Sequence, residues 1–247
     1  MKRLMIIVLA CIVLGARAQS AREQITTYLN AAEATGRLHG FVLVTQKGET
    51  LHASGYGFSN YATKEKGTAQ TRYQVGSVTK QFTATIILKL AEEGKLSLGD
   101  KLSKYFPDFP RADKVTMEHL LTHTSGIFNY TNSRSAFDSL RWISSTREDM
   151  MRMIAAYPYD FEPGTRWSYS NSAYSLLGYI IEKASGKTWE QNVRDIIFTP
   201  LGMTRSGFDF RKAPSLKATG YYVIDGDKTI PSAIIDSSIS FSAGAIY

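Results

Sequence analysis

The 247-residue chain has a single cysteine, Cys11. That excludes an internal disulfide framework and a site built on several thiolates. Prolines are few, 7 in all, and no Pro-, Gly- or Ser-rich linker or internal repeat breaks the chain. No apolar run is long enough to span a bilayer; the longest, Leu4 to Leu14, falls short. The charge has no single-sign block. The formal net charge is +7, but Lys2, Arg3 and Arg17 lie in the first 18 residues, and the remaining charges are mixed in sign. That argues against a nucleic-acid stripe or a polybasic membrane patch. His119 and His123 stand four apart with Glu118 ahead of them, which is not the H-E-x-x-H zinc pattern, and no third ligand is evident. They read as structural. Gly55-Tyr56-Gly57 follows a strand and does not open a helix, so it is not a dinucleotide fingerprint. No metal or cofactor is expected.

Residues 1–18 read as a secretory signal: a basic start, an apolar run and the small-x-small site Ala16-Arg17-Ala18. The mature chain is then 19–247, without cysteine and without an integral membrane segment, secreted or periplasmic. Lipid attachment at Cys11 is the alternative. At 43% hydrophobic residues the chain can build a sizeable core, as one large domain or two small lobes.

The apolar period assigns the elements. Residues 21–34 form an amphipathic helix, 40–45 and 50–56 a hairpin, 77–93 a helix, and 116–121 a short helix capped by Thr116. Helices follow at 146–157 and 172–183, then one opened by the capping box Thr188-x-x-Gln191, and a strand returns at 220–224. Residues 95–205 are therefore a mostly helical lobe between strand-bearing ends. The order suggests an antiparallel sheet flanked by helices.

Two constellations carry chemistry. Ser77 and Lys80 lie one helical turn apart at the start of a helix, where free N–H groups favour developing negative charge. A serine hydroxyl attacks only when a base takes its proton, and a neutral lysine is such a base. Taken alone, the pair reads first as a cap and a solvated lysine. Tyr169-Ser170-Asn171 follows the Pro163-Gly164 turn and precedes a helix. A phenol beside a lysine relays a proton, and an amide orients the lysine or a substrate carbonyl. Taken alone, it reads as an aromatic turn with Asn171 as helix cap.

Together with intervening landmarks the two are more specific. Val75 to Thr83, His119-Leu120-Leu121-Thr122-His123-Thr124-Ser125-Gly126, Pro163-Gly164 with Tyr169-Ser170-Asn171, Leu176 to Glu182 and Pro200-Leu201-Gly202-Met203 resemble the serine β-lactamase and penicillin-binding-protein-like family. The likeness is to its branch of class C β-lactamases, D-alanyl-D-alanine carboxypeptidases and family VIII esterases. It covers residues 21–247 and implies the α/β (α+β) β-lactamase/transpeptidase-like fold. It implies that Ser77 is the acylated nucleophile, with its N–H in the oxyanion hole. Lys80 and Tyr169 would share the proton work, and Asn171 would position Lys80 and the substrate amide. Which of Lys80 and Tyr169 is the base stays open.

The resemblance also implies a third motif, Lys- or His-x-Gly on a late strand, and no match follows Asn171. A C-terminally truncated sequence accounts for this most simply: an incomplete domain, lacking closing strands, weakly active or inactive. The expected substrates are β-lactams, D-alanyl peptides of the peptidoglycan type, or small esters and amides, with no nucleic-acid partner. An esterase of unrelated acyl substrates and a non-catalytic penicillin-binding sensor are the alternatives.

Overall fold

In the computed structural model, residues 19–133, 137–139, 141–225 and 228–247 are described. The signal reading over 1–18 and Cys11 fall outside them. The chain divides into two compact units, Met1–Ala69 and Gln70–Tyr247.

In the first unit, helix α1 spans Ala21–Ala34. Ser20 caps it, and Glu23 answers with a bond back to the Ser20 amide, so two otherwise unpaired groups satisfy each other. Strands β1 (Gly40–Gln46) and β2 (Glu49–Tyr56) pair as an antiparallel hairpin, from Gly40 opposite Tyr56 to Gln46 opposite Glu49. The connecting residues Lys47 and Gly48 both have positive φ, 50° and 80°, the backbone that a two-residue turn of matching twist requires. Arg22 of α1 donates to Leu51 O at 3.1 Å and Glu49 at 2.6 Å, tying the helix to the hairpin. A short ladder of β3 (Phe58–Asn60) and β4 (Glu65–Lys66) follows.

The second unit is built around one helix. Its elements are α2 (Thr79–Glu92), α3 (Met117–Leu121), α4 (Arg147–Ala155), α5 (Asn171–Ser185), α6 (Trp189–Val193), strands β5 (Tyr221–Asp225) and β6 (Lys228–Pro231), and α7 (Ser237–Gly244). Every residue of α5 from Ser172 to Ile181 is buried. A helix apolar on all sides must be enclosed on all sides. Ile86, Ile87 and Leu90 of α2, Met117 and Leu120 of α3, Ile154 of α4, Trp189 of α6 and Ile239 of α7 share its core.

The α5–α7 contact depends on a glycine. A Cβ at Gly178 would lie 2.1 Å from Ser242 Oγ and 2.5 Å from the Phe241 ring, so only glycine admits this approach. Within α7 the backbone leaves helical geometry at Phe241, with φ 33° and ψ −135°. The Phe241 ring stacks on Tyr179 at 4.9 Å and meets Trp189 edge-on at 5.3 Å, packing that holds the strained residue in place. Beyond it the chain is stitched to α2. Thr83 donates to Ser242 O at 2.7 Å, and Ile246 N donates to Thr79 Oγ1 at 3.1 Å. Val75 N donates to Ile246 O at 3.1 Å.

The strands form three two-stranded antiparallel ladders among the described residues. Two details differ from the sequence expectation. Residue 77 sits in a tight helical turn, Gly76–Val78, ahead of α2, with no side-chain cap. Helix α7 was not expected at all. Its Ser- and Gly-rich sequence has poor helix propensity, and burial against α2 and α5 overrides that preference. Residues 95–205 contain α3 to α6 and, among the described residues, no strand beyond the isolated bridge Lys101–Thr116.

Candidate active site

The structure brings together all four residues singled out in the sequence. Tyr169 OH lies 2.6 Å from Ser77 Oγ, and Lys80 Nζ lies 3.3 Å from the same oxygen. Lys80 Nζ also donates to Asn171 Oδ1 at 2.7 Å and to the Ala243 carbonyl at 2.8 Å. Ser77 is exposed, whereas Lys80 is 7% exposed. Removal from water disfavours the ammonium, so burial lowers the Lys80 pKa below that of a free lysine, although its hydrogen bond and charge interaction with Tyr169 oppose the shift.

This geometry divides the valences of Lys80. Asn171 Oδ1 and Ala243 O accept only, so they take two N–H groups. The third position faces Ser77 Oγ, as a donor when the amine is charged and as a lone pair when it is neutral. The Nζ also sits 4.7 Å from the Tyr169 ring centre and 5.4 Å from that of Tyr174.

The orientation of Asn171 is set by a relay that no sequence motif announces. Asn171 Nδ2 donates to Thr131 Oγ1 at 3.0 Å, and Thr131 Oγ1 donates to Asn129 Oδ1 at 2.9 Å. The same Asn129 oxygen accepts from Asn171 N at 3.1 Å. With its N–H₂ engaged by Thr131, the Asn171 amide turns its oxygen to Lys80. Asn171 is the first residue of α5, and its neighbour Ser170 is the cap, accepting from Ala173 N at 3.1 Å.

The landmark His119–Gly126 braces the loop that carries Tyr169. Ser168 N donates to His123 O at 2.9 Å, Gly164 N to Thr124 O at 2.8 Å and Asp160 N to Gly126 O at 2.8 Å. Gly126 has φ +72°, and a Cβ there would lie 2.1 Å from Phe161 O, so glycine is needed for the two segments to meet. The His123 ring sits 4.7 Å from the Tyr169 ring, and its Nδ1 accepts from Ser170 N at 3.2 Å. Burial and the charge of Lys80 push the His123 pKa down to about 4, so at neutral pH it is an uncharged acceptor. His119 acts elsewhere. Its Nδ1 accepts from Thr116 N at 3.3 Å and completes the cap of α3. Among the described residues no group of three or more His, Cys, Asp or Glu side chains is arranged to hold a metal ion. None of their helices is long and apolar enough to cross a membrane.

A cleft of about 190 Å³ opens beside Ser77, bounded by Asn171, Thr131 and Tyr130 on one side and by α7 on the other. Neither Thr131 nor any α7 residue carried a motif in the sequence. Thr131, three residues past Phe128 in a polar stretch, has nothing in its neighbours to distinguish it.

Comparison with known proteins places the chain among its relatives. The chain is 36% identical over 210 residues to the penicillin-binding protein PbpX of Bacillus subtilis (strain 168), an alignment covering 84% of this chain and 51% of that protein. It thus spans about half the length of that curated relative. The crystal structure of a penicillin-binding protein from Bacillus halodurans superposes with a TM-score of 0.75 at 30% identity, covering 89% of this chain and 68% of that one. A D-stereospecific amidohydrolase from a Streptomyces species superposes at 0.65 with 29% identity, covering 74% and 59% of the two chains. The profile of the Beta-lactamase family matches residues 23–247, nearly all of the described chain, and the chain belongs to the β-lactamase family, with its β-lactamase/transpeptidase-like fold.

Proposed function

We propose that the protein is a serine hydrolase that works through an acyl-enzyme on Ser77. The observation that carries the reading is the convergence of Tyr169 OH and Lys80 Nζ on one hydroxyl oxygen, at 2.6 Å and 3.3 Å. Ser77 Oγ attacks the substrate carbonyl and loses its proton to Lys80, whose buried amine has two of its three positions occupied by acceptors. The Ser77 N–H, at the start of the helix, stabilises the oxyanion. Tyr169 passes a proton to the leaving group as the tetrahedral species collapses, and Lys80 returns one to Tyr169. Water then attacks the ester at Ser77, with the proton path reversed.

The substrates are small acyl compounds of the β-lactam, D-alanyl peptide, ester or amide kind. The names of PbpX and the Bacillus halodurans protein favour the first, and that of the Streptomyces enzyme the amides. The basic, apolar start at residues 1–18 supports export as the setting. Labelling with a fluorescent penicillin and turnover of a nitrophenyl ester test the reading together. Ser77-dependent turnover of either supports it. Stable labelling without turnover would assign a penicillin-binding sensor instead, and signals that survive Ser77→Ala would refute the nucleophile.

A further inference from the structure

The cleft beside Ser77 is chemically one-sided. Apart from the reacting hydroxyl, its walls are mainly apolar, Tyr130, Phe137, Ile235, Ile239 and Ala243, with the Asn171 amide, Ser240 and Thr131 as neutral polar neighbours. Tyr130 presents only its ring, because its hydroxyl is spent on Ile239 O at 2.6 Å. Burial raises its pKa, so the phenol stays neutral. Among the described residues that line the cleft, none carries a charge at neutral pH. The volume of about 190 Å³ exceeds the ~150 Å³ that suffices for a benzene ring in an apolar cavity.

The position of the cleft selects which half of a substrate enters it. Tyr169 gives its proton to the leaving group, so the leaving group lies on the Tyr169 side of Ser77. Tyr169 does not line the cleft, which opens on the Asn171 and α7 side. The group in the cleft is therefore the one that stays on the enzyme. We infer that the site prefers a neutral acyl group bearing a ring-sized apolar substituent, such as phenylacetyl, over small or carboxylate-bearing acyl groups. This rests on the acyl-serine reading above. Burial of a ring removes apolar area from water, whereas a carboxylate loses its hydration and meets no cation on these walls.

The test compares kcat/KM for three nitrophenyl esters with one leaving group: acetate, phenylacetate and hemisuccinate, each corrected for spontaneous hydrolysis. Phenylacetate is expected to exceed acetate about tenfold or more, and hemisuccinate to stay at or below acetate. In Ser240→Phe, which fills the cleft, and in Ile235→Ala, which strips one wall, the phenylacetate-to-acetate ratio should fall towards one. A wild-type ratio at or below one, or a preference for hemisuccinate, would overturn the inference and leave the Ser77 reading intact. The wild-type series decides even where a variant folds poorly. Absence of both turnover and an acyl adduct on Ser77 for all three esters would instead overturn the underlying reading, and this inference with it.

Discussion

Lys80 Nζ and the carbonyl oxygen of Ala243, 163 positions apart in the chain, are 2.8 Å from each other. The base candidate of the second unit is thus held by the backbone of α7 as well as by the Asn171 amide. Replacing Lys80 by methionine keeps the stem and removes the nitrogen. Ester hydrolysis is expected to fall by ~10²–10⁴-fold, the usual worth of a positioned proton acceptor. The removal also leaves Asn171 Oδ1 and Ala243 O without a donor, which offsets what is gained by taking a charge out of the core. Steady-state kinetics with thermal melts check both effects.

The pH profile should follow the same residue. Lys80 must be neutral to accept the proton, and burial lowers its pKa from 10.5. The rate is expected to rise with pH and to level off below 10.5. Stability has the same sign. Between the lowered folded pKa and 10.5 the unfolded chain binds the extra proton, so the cost of burying Lys80 is fully present below the folded pKa and fades as pH rises through that window. Urea unfolding of wild type and Lys80→Met across the window should diverge in slope; parallel curves would contradict the assignment.

His123 gives a second pH signature, on the acid side. Its pKa is pushed down to about 4 from 6.5, by burial first and then by the charge of Lys80. Between those values the unfolded chain holds a proton that the folded chain does not, so stability should fall as the pH drops from 6.5 towards 4. Protonation also removes the Nδ1 acceptor from Ser170 N. His123→Phe should flatten this acid limb in melting curves, and lower turnover by loosening the loop that carries Tyr169.

Much of this site was legible in the sequence. Ser77 and Lys80 share a helix face, and Tyr169 and Asn171 flank a helix cap, but spacing alone left both pairs open to a structural reading; the ordered landmarks of the family resemblance singled them out. Thr131, Asn129 and Ala243 were not legible, because their parts are assigned by distance in space: Asn171 to Thr131 spans 40 positions and Lys80 to Ala243 spans 163. The same reason hid α7. Its low-propensity sequence becomes helical only where Gly178 lets it approach α5. Strand pairing was read correctly where a two-residue turn fixed it, as in β1–β2. Which ladders neighbour one another is set by long-range packing, which local pattern does not carry.

Thr131→Val removes the hydroxyl between Asn171 and Asn129 while nearly keeping shape. The Asn171 amide then loses the partner that fixes its flip. A fall in kcat of about fivefold is expected, in line with one lost hydrogen bond worth ~1 kcal/mol, with Thr131→Ser restoring most of it. Equal losses in the two variants would show that the methyl group, not the relay, matters.

Asp236 anchors the start of α7. It is 2% exposed, accepts from Ser238 N at 2.9 Å and Ser238 Oγ at 2.7 Å, and faces Arg211 Nη2 at 2.7 Å. Burial would raise its pKa, but the Ser238 bonds and the Arg211 charge outweigh that and hold it below the ordinary carboxylate value. Its contribution is therefore present above 3.8 and lost as the pH falls through the lower folded value. Asp236→Ala should lower stability by about 0.5–2 kcal/mol, the range for a lost helix cap, measured by chemical unfolding at neutral pH.

The central claim is that Ser77 is acylated. Intact-mass spectrometry of the protein quenched in acid during turnover of nitrophenyl phenylacetate tests it most directly. The expected result is a mass increase of one phenylacetyl group, mapped by peptide digestion to Ser77 and absent from Ser77→Ala. An adduct that persists in Ser77→Ala, or steady turnover by that variant, would contradict it.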